Sequence, residues 1–141
     1  MVFIESEVIS KIIIAAFIGG VLGFERELSK KPADMRTSAL VCIGAALFGV
    51  IASFQDSNSL PLYPGVAAGI VTGLGFLGAG MIFKEKDQVR GLTTATEVWV
   101  IGAIGLAVGL EMYEMAVAAA VIVLLIQLAG KEFEKITLRR K

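Results

Sequence analysis

The sequence predicts an all-α, polytopic membrane protein: five transmembrane helices in one bundle, N-terminus outside and C-terminus in the cytoplasm. Three observations carry this. The chain is too apolar for its length, its apolar residues fall into five runs, and its basic residues gather on alternate loops. Of 141 residues, 56% are hydrophobic and only 18% charged, with a mean hydropathy of +0.80. A soluble domain carries roughly a quarter charged residues, and a chain this short has one modest core to fill. The surplus must face lipid.

The five runs are residues 8–24, 37–54, 65–83, 92–110 and 115–129. Each is near the roughly 17–25 residues needed to cross a hydrocarbon layer of about 30 Å. Lys11 and Lys131 flank or enter the first and fifth runs, which snorkelling of their long stems allows to extend. The first run follows Glu5 and Glu7 rather than a basic segment and lacks a small-residue cleavage site. It therefore reads as a span and not as a signal peptide.

Orientation follows from lysine and arginine. The first loop holds Arg26, Lys30, Lys31 and Arg36, and the third holds Lys84, Lys86 and Arg90. The tail adds Lys131, Lys135, Arg139, Arg140 and Lys141, leaving Lys11 alone on the other side among 13 basic residues. The positive-inside rule then places the tail in the cytoplasm. Tyr63 and Tyr113 fall at the outer interface, where aromatic side chains are expected. Residues 1–130 form the transmembrane domain and 131–141 a short basic tail. That tail reads as a surface helix on anionic lipid, or else as a partner-binding segment.

Several chemistries are disfavoured. Net charge is zero and histidine is absent, so no nucleic-acid partner is expected and the commonest acid/base group is missing. The single cysteine, Cys42, lies inside an apolar run and has no intrachain disulfide partner. There is no phosphate-binding loop, HExxH or nucleophile elbow. An enzyme is not expected, nor a cofactor.

Glycine is the packing signal. Gly65, Gly69 and Gly73 recur every fourth residue along the third span; Gly19 and Gly23 do so on the first, and Gly105 and Gly109 on the fourth. Such spacing puts small residues on one face and lets helix backbones approach. The third helix is therefore expected at the centre of the bundle, with Gly75, Gly78 and Gly80 continuing the pattern or loosening the helix. The first and third spans also share a faint parallel repeat: a glycine-rich end, a basic loop closed by Arg36 or Arg90, then TSA or TTA.

At three segments the chain resembles the MgtC/SapB family of bacterial membrane proteins. They are GFERELSKKPADMRTSALVCIGAALF (23–48), TGLGFLGAGMIF (72–83) and GLTTATEVWVIGAIGLAVG (91–109), which together cover most of four spans. The resemblance implies a five-helix domain in the bacterial inner membrane, in the short form without a cytoplasmic C-terminal domain. It also implies a part in growth at low magnesium and in survival within hosts; some members are described as inhibiting the ATP synthase, and many carry the label of magnesium transporter. Glu97 departs from the pattern, since relatives commonly have an uncharged residue there.

The family motif concentrates at the cytoplasmic surface in Glu25, Arg26, Glu27, Pro32, Arg36, Thr37, Gly91, Leu92, Thr93 and Thr94, with Asp34 among them. On one reading its charges finish helix ends. Thr94 and Glu97 have the spacing of a capping box, and a polar node of Glu97, Thr94 and an arginine (Arg26, Arg36 or Arg90) keeps Glu97 ionised. On the other reading the oxygens of Glu25, Glu27 and Glu97 are candidate magnesium ligands, because magnesium retains most of its water and needs few carboxylates. The centres of spans two to five hold no ionisable group; Thr72 is the polar side chain there, and Gln127 is nearer an end. Selective cation transport ordinarily uses intramembrane carboxylates or exposed carbonyls. The expected function is thus in magnesium homeostasis and envelope stress adaptation, through contacts with itself, as a homodimer or higher homo-oligomer, and with other membrane proteins. The alternative is a small oligomeric transporter or channel for magnesium or another solute.

Overall fold

The computed structural model describes residues 2–53 and 63–138. Residue 1, the loop at 54–62 and the last three residues lie outside the described residues, as do the side chains of residues 2–5, of Tyr63 and of 132–138. Five helices follow one another: α1 (Val2–Leu28), α2 (Met35–Ser53), α3 (Tyr63–Met81), α4 (Leu92–Gly109) and α5 (Tyr113–Leu138). All five are long and apolar enough to cross a membrane. Between α3 and α4 the chain makes a hairpin that the hydropathy reading did not resolve, β1 (Phe83–Glu85) against β2 (Gln88–Arg90).

Local chemistry fixes the helix ends. Asp34 caps α2: its Oδ1 accepts from the Thr37 backbone N–H at 3.0 Å and from the Thr37 hydroxyl at 2.9 Å. Those bonds, the backbone one first, hold the Asp34 carboxyl below its ordinary range. At the start of α4 the capping-box expectation is corrected. The N-cap is Gly91, left-handed at φ 85° and without a side-chain cap. A Cβ there would strike the Met81 carbonyl, so only glycine closes the hairpin onto the helix. At the α4–α5 turn Glu111 takes φ 64°, an uncommon conformation for a side chain that bulky. α5 runs unbroken through position 130. At about 1.5 Å per residue its 26 residues span about 39 Å, so the start of the tail continues the last span.

The hub is α4, not the third helix. α4 touches all four others, and its most extensive contact is with α2, which in turn packs along α1. The core gathers Ala15 and Leu22 of α1, Cys42 and Ala46 of α2, and Ile101, Ile104 and Val108 of α4. Glycine makes this contact close. A Cβ on Gly105 would strike the Cys42 carbonyl, and one on Gly109 the Ala46 carbonyl. On Gly19 it would lie 2.7 Å from the Ser38 carbonyl, and on Gly23 2.7 Å from that of Asp34. Gly49 and Gly102, which stand outside the four-residue repeats, also sit in tight contacts. On α3, by contrast, a Cβ at Gly65, Gly69, Gly73, Gly75 or Gly80 would meet nothing within 4 Å, and Gly78 makes only ordinary contact with Ala95. The third helix is peripheral within one chain, its glycine face uncovered.

Candidate functional site

Charge is confined to the two ends of the bundle. At the end holding the first residues of α1, the buried Lys11 ammonium meets Glu111 of the α4–α5 turn at 2.7 Å and Glu7, one turn back, at 3.7 Å. Its hydrogen bond holds the exposed Glu111 carboxyl below the ordinary carboxylate range. Lys11 thereby ties α1 to that turn.

The opposite end carries the denser cluster, where α1, α4 and α5 meet. Arg26, only 2% exposed, is its centre. Its Nη1 lies 2.8 Å from Glu97 Oε2, and its Nη2 donates to the Thr94 hydroxyl at 2.6 Å and to the Pro32 carbonyl at 3.1 Å. One guanidinium therefore binds the end of α1 to the first turns of α4 and to the loop before α2. Planar, multivalent donation of this kind is what arginine supplies and lysine cannot. Next to it, Glu25 accepts from the Ser29 hydroxyl at 2.6 Å and lies 3.7 Å from Lys131 Nζ of α5. The buried amide of Gln127 sits beside Glu97.

Of the residues expected here, Glu25, Arg26, Pro32, Thr94 and Glu97 come together. Arg90 does not join them: hairpin register puts it diagonal to Glu85, and the two exposed side chains pair at 2.8 Å. Glu27, Arg36, Leu92 and Thr93 are exposed, Thr37 serves the Asp34 cap, and Gly91 is structural. Of the three candidate magnesium ligands, Glu25 and Glu97 share the junction and Glu27 is exposed outside it. No group of three or more acids, cysteines or histidines that could hold a metal occurs among the described residues. Glu97 and Glu25 each face a cation of the chain itself. Gln127 and Lys131 went unassigned in the sequence, although their four-residue spacing near the end of α5 puts both on one face.

A second feature is a mainly apolar groove of about 700 Å³ between α2 and α3, lined by Leu40, Gly44, Phe48, Gly69, Gly73 and Leu77 among others. A smaller one of about 480 Å³ separates α3 from α4 beside Gly78, Ala95 and Trp99.

Residues 12–136 match the model of the MgtC family. The chain belongs to the MgtC family. Among its relatives, a protein of Escherichia coli (strain K12) named "Putative magnesium transporter YhiD" is 39% identical over 127 residues, 86% of this chain and 59% of that protein. Protein MgtC of Brucella abortus (strain 2308) is 44% identical over 110 residues, 78% of this chain and 45% of the relative. Protein MgtC of Salmonella typhimurium (strain LT2) is 43% identical over 117 residues, 82% and 49% respectively. The chain thus spans about half the length of the curated relatives it matches. No solved structure matches it. This MgtC-family chain is a multi-pass membrane protein by its five spans and its membership.

Proposed function

We propose that this MgtC-family protein acts in magnesium homeostasis and envelope stress adaptation as a regulator and not as a transporter. It works from the bacterial inner membrane, N-terminus outside, by binding itself and other membrane proteins through helix faces. No catalytic step or resident cofactor enters this proposal. Magnesium is suggested by the printed name of the Escherichia coli relative.

The observation that carries the proposal is the placement of charge. Lys11 at one end and Arg26 at the other are held by carboxylates of the chain itself. Between them the core is apolar, and Thr72 in the middle of α3 spends its hydroxyl on the Ala68 carbonyl. A permeating cation would lose its water with no ligand set to replace it. The uncovered glycine face of α3 fits association instead, because lipid does not fill such grooves as closely as a second helix does.

The test is flux. Purified full-length protein in liposomes loaded with a magnesium-sensitive dye should leave the dye signal at the rate of empty liposomes across an imposed magnesium gradient. Uptake that exceeds the empty control and scales with protein density would establish the transporter alternative.

A further inference from the structure

We propose that the junction of α1, α4 and α5 is a binding site for water, held between Arg26, Glu97 and Gln127, and not a cation site. This goes beyond the regulatory proposal and does not depend on it.

Hydrogen-bond capacity goes unused at this junction. Gln127 is 8% exposed, yet neither its amide nitrogen nor its amide oxygen makes a well-aligned hydrogen bond. Arg26 uses both terminal nitrogens, but its Nε, equally buried, has no acceptor. Glu97 Oε2 meets Arg26 as an ionic contact rather than an aligned hydrogen bond. Polar groups buried this deeply are almost always satisfied by protein or by ordered water, and leaving them bare in hydrocarbon is costly. Glu97 of α4 faces both Arg26 of α1 and Gln127 of α5, so the unmet groups lie around one carboxylate.

Its chemistry selects the ligand. Turning the Gln127 amide onto Glu97 would use one N–H, but the Gln127 carbonyl would still lack a donor and Arg26 Nε an acceptor. The missing molecule must accept from the Nε–H and donate to a carbonyl or carboxylate. Water does both. A metal ion cannot accept the Nε–H and would sit against a guanidinium. A fully deprotonated anion such as chloride cannot donate to the carbonyl, and any anion would sit against Glu97. Charge speaks against a metal ion, because the cations Arg26, Lys31 and Lys131 outnumber the carboxylates Glu25 and Glu97 around the junction. A buried water typically has two to four polar partners, and these residues offer that number. Access is at hand: Lys131, one turn beyond Gln127 on α5, has a side chain 33% exposed.

The test uses the full-length protein, nitrogen-15 labelled, in lipid bilayers. Solid-state proton spectra would record transfer of magnetisation from water to the Arg26 Nε–H and the Gln127 amide, assigned by their loss in Arg26→Lys and Gln127→Leu. Both signals should receive it on the same timescale as the exposed Gln88 amide. Adding Mn²⁺, a paramagnetic probe for magnesium, should broaden neither before it broadens Gln88. In Gln127→Leu the transfer to Arg26 Nε–H should fall several-fold. A dry junction in the wild type, with Gln88 alone receiving magnetisation, overturns the proposal. So does early, selective broadening of Arg26 and Gln127 by Mn²⁺, which would make this a cation site. The wild-type spectra decide the matter even where a variant fails to fold.

Discussion

Replacing Arg26 with leucine is expected to destabilise the bundle by about 3–5 kcal/mol, the usual consequence of removing one partner of a buried ion pair. The loss has several sources. Glu97, whose side chain is 16% exposed, loses the guanidinium it contacts, while the Thr94 hydroxyl and the Pro32 carbonyl lose their donor. The companion Arg26→Leu/Glu97→Leu should recover much of the stability, since a buried pair replaced by apolar groups is often neutral or better. Glu97→Gln keeps an acceptor for Nη1 and leaves the Thr94 and Pro32 bonds in place, so it should cost less than Arg26→Leu. Unfolding of wild type, Arg26→Leu, Glu97→Leu and the double leucine variant in mixed detergent micelles measures the coupling directly. A loss in the double leucine variant equal to the sum of the two single losses would mean that the two charges do not stabilise each other.

Gly105→Leu should be the next most damaging change, and Gly69→Leu its contrast. The first Cβ atom alone would collide with the Cys42 carbonyl, a backbone atom that cannot swing aside, so α2 and α4 must part. Overpacking of this sort costs about 1–3 kcal/mol, with leucine toward the upper end. At Gly69 the added side chain enters the groove beside α2 and meets nothing within 4 Å at its Cβ. It should leave the melting temperature of the single chain unchanged and weaken self-association through α3, seen as later elution from a detergent sizing column. A Gly105→Leu protein that melts like wild type would refute the close α2–α4 contact. A Gly69→Leu protein that elutes like wild type would remove α3 from the association surface.

The spans were legible because hydropathy is additive along the chain and lipid imposes its length on every helix. The partnership of glycines was not. Gly65, Gly69 and Gly73 show the same spacing as Gly105 and Gly109, and spacing says only that a face is small, not what covers it. The structure sets Gly105 and Gly109 against α2 and leaves the α3 face bare, a difference that depends on the facing helix. Gly49 has no glycine three or four residues away, and Gly102 stands three residues from Gly105, outside the four-residue repeat. The polar node was half legible. Glu97 inside a span demanded a cation, and Arg26, Arg36 and Arg90 were equivalent in sequence. The choice was made by a hairpin whose register hands Arg90 to Glu85. Gln127 stands 30 positions beyond Glu97, and nothing along the chain connects them until α4 and α5 pack together.

Five spans with a fixed direction are the central claim, and site-directed labelling in intact cells tests it most directly. Cysteine would be placed one at a time at Glu7 and Glu114, exposed at one end of the bundle, and at Glu27 and Gln88, exposed at the other. The native Cys42 is fully buried and should stay silent. A membrane-impermeant maleimide should modify positions 7 and 114 in intact cells, and positions 27 and 88 only after the membrane is opened, as the distribution of basic residues requires. Modification of positions 7 and 27 from the same side would mean that α1 does not cross the membrane, and would contradict the account.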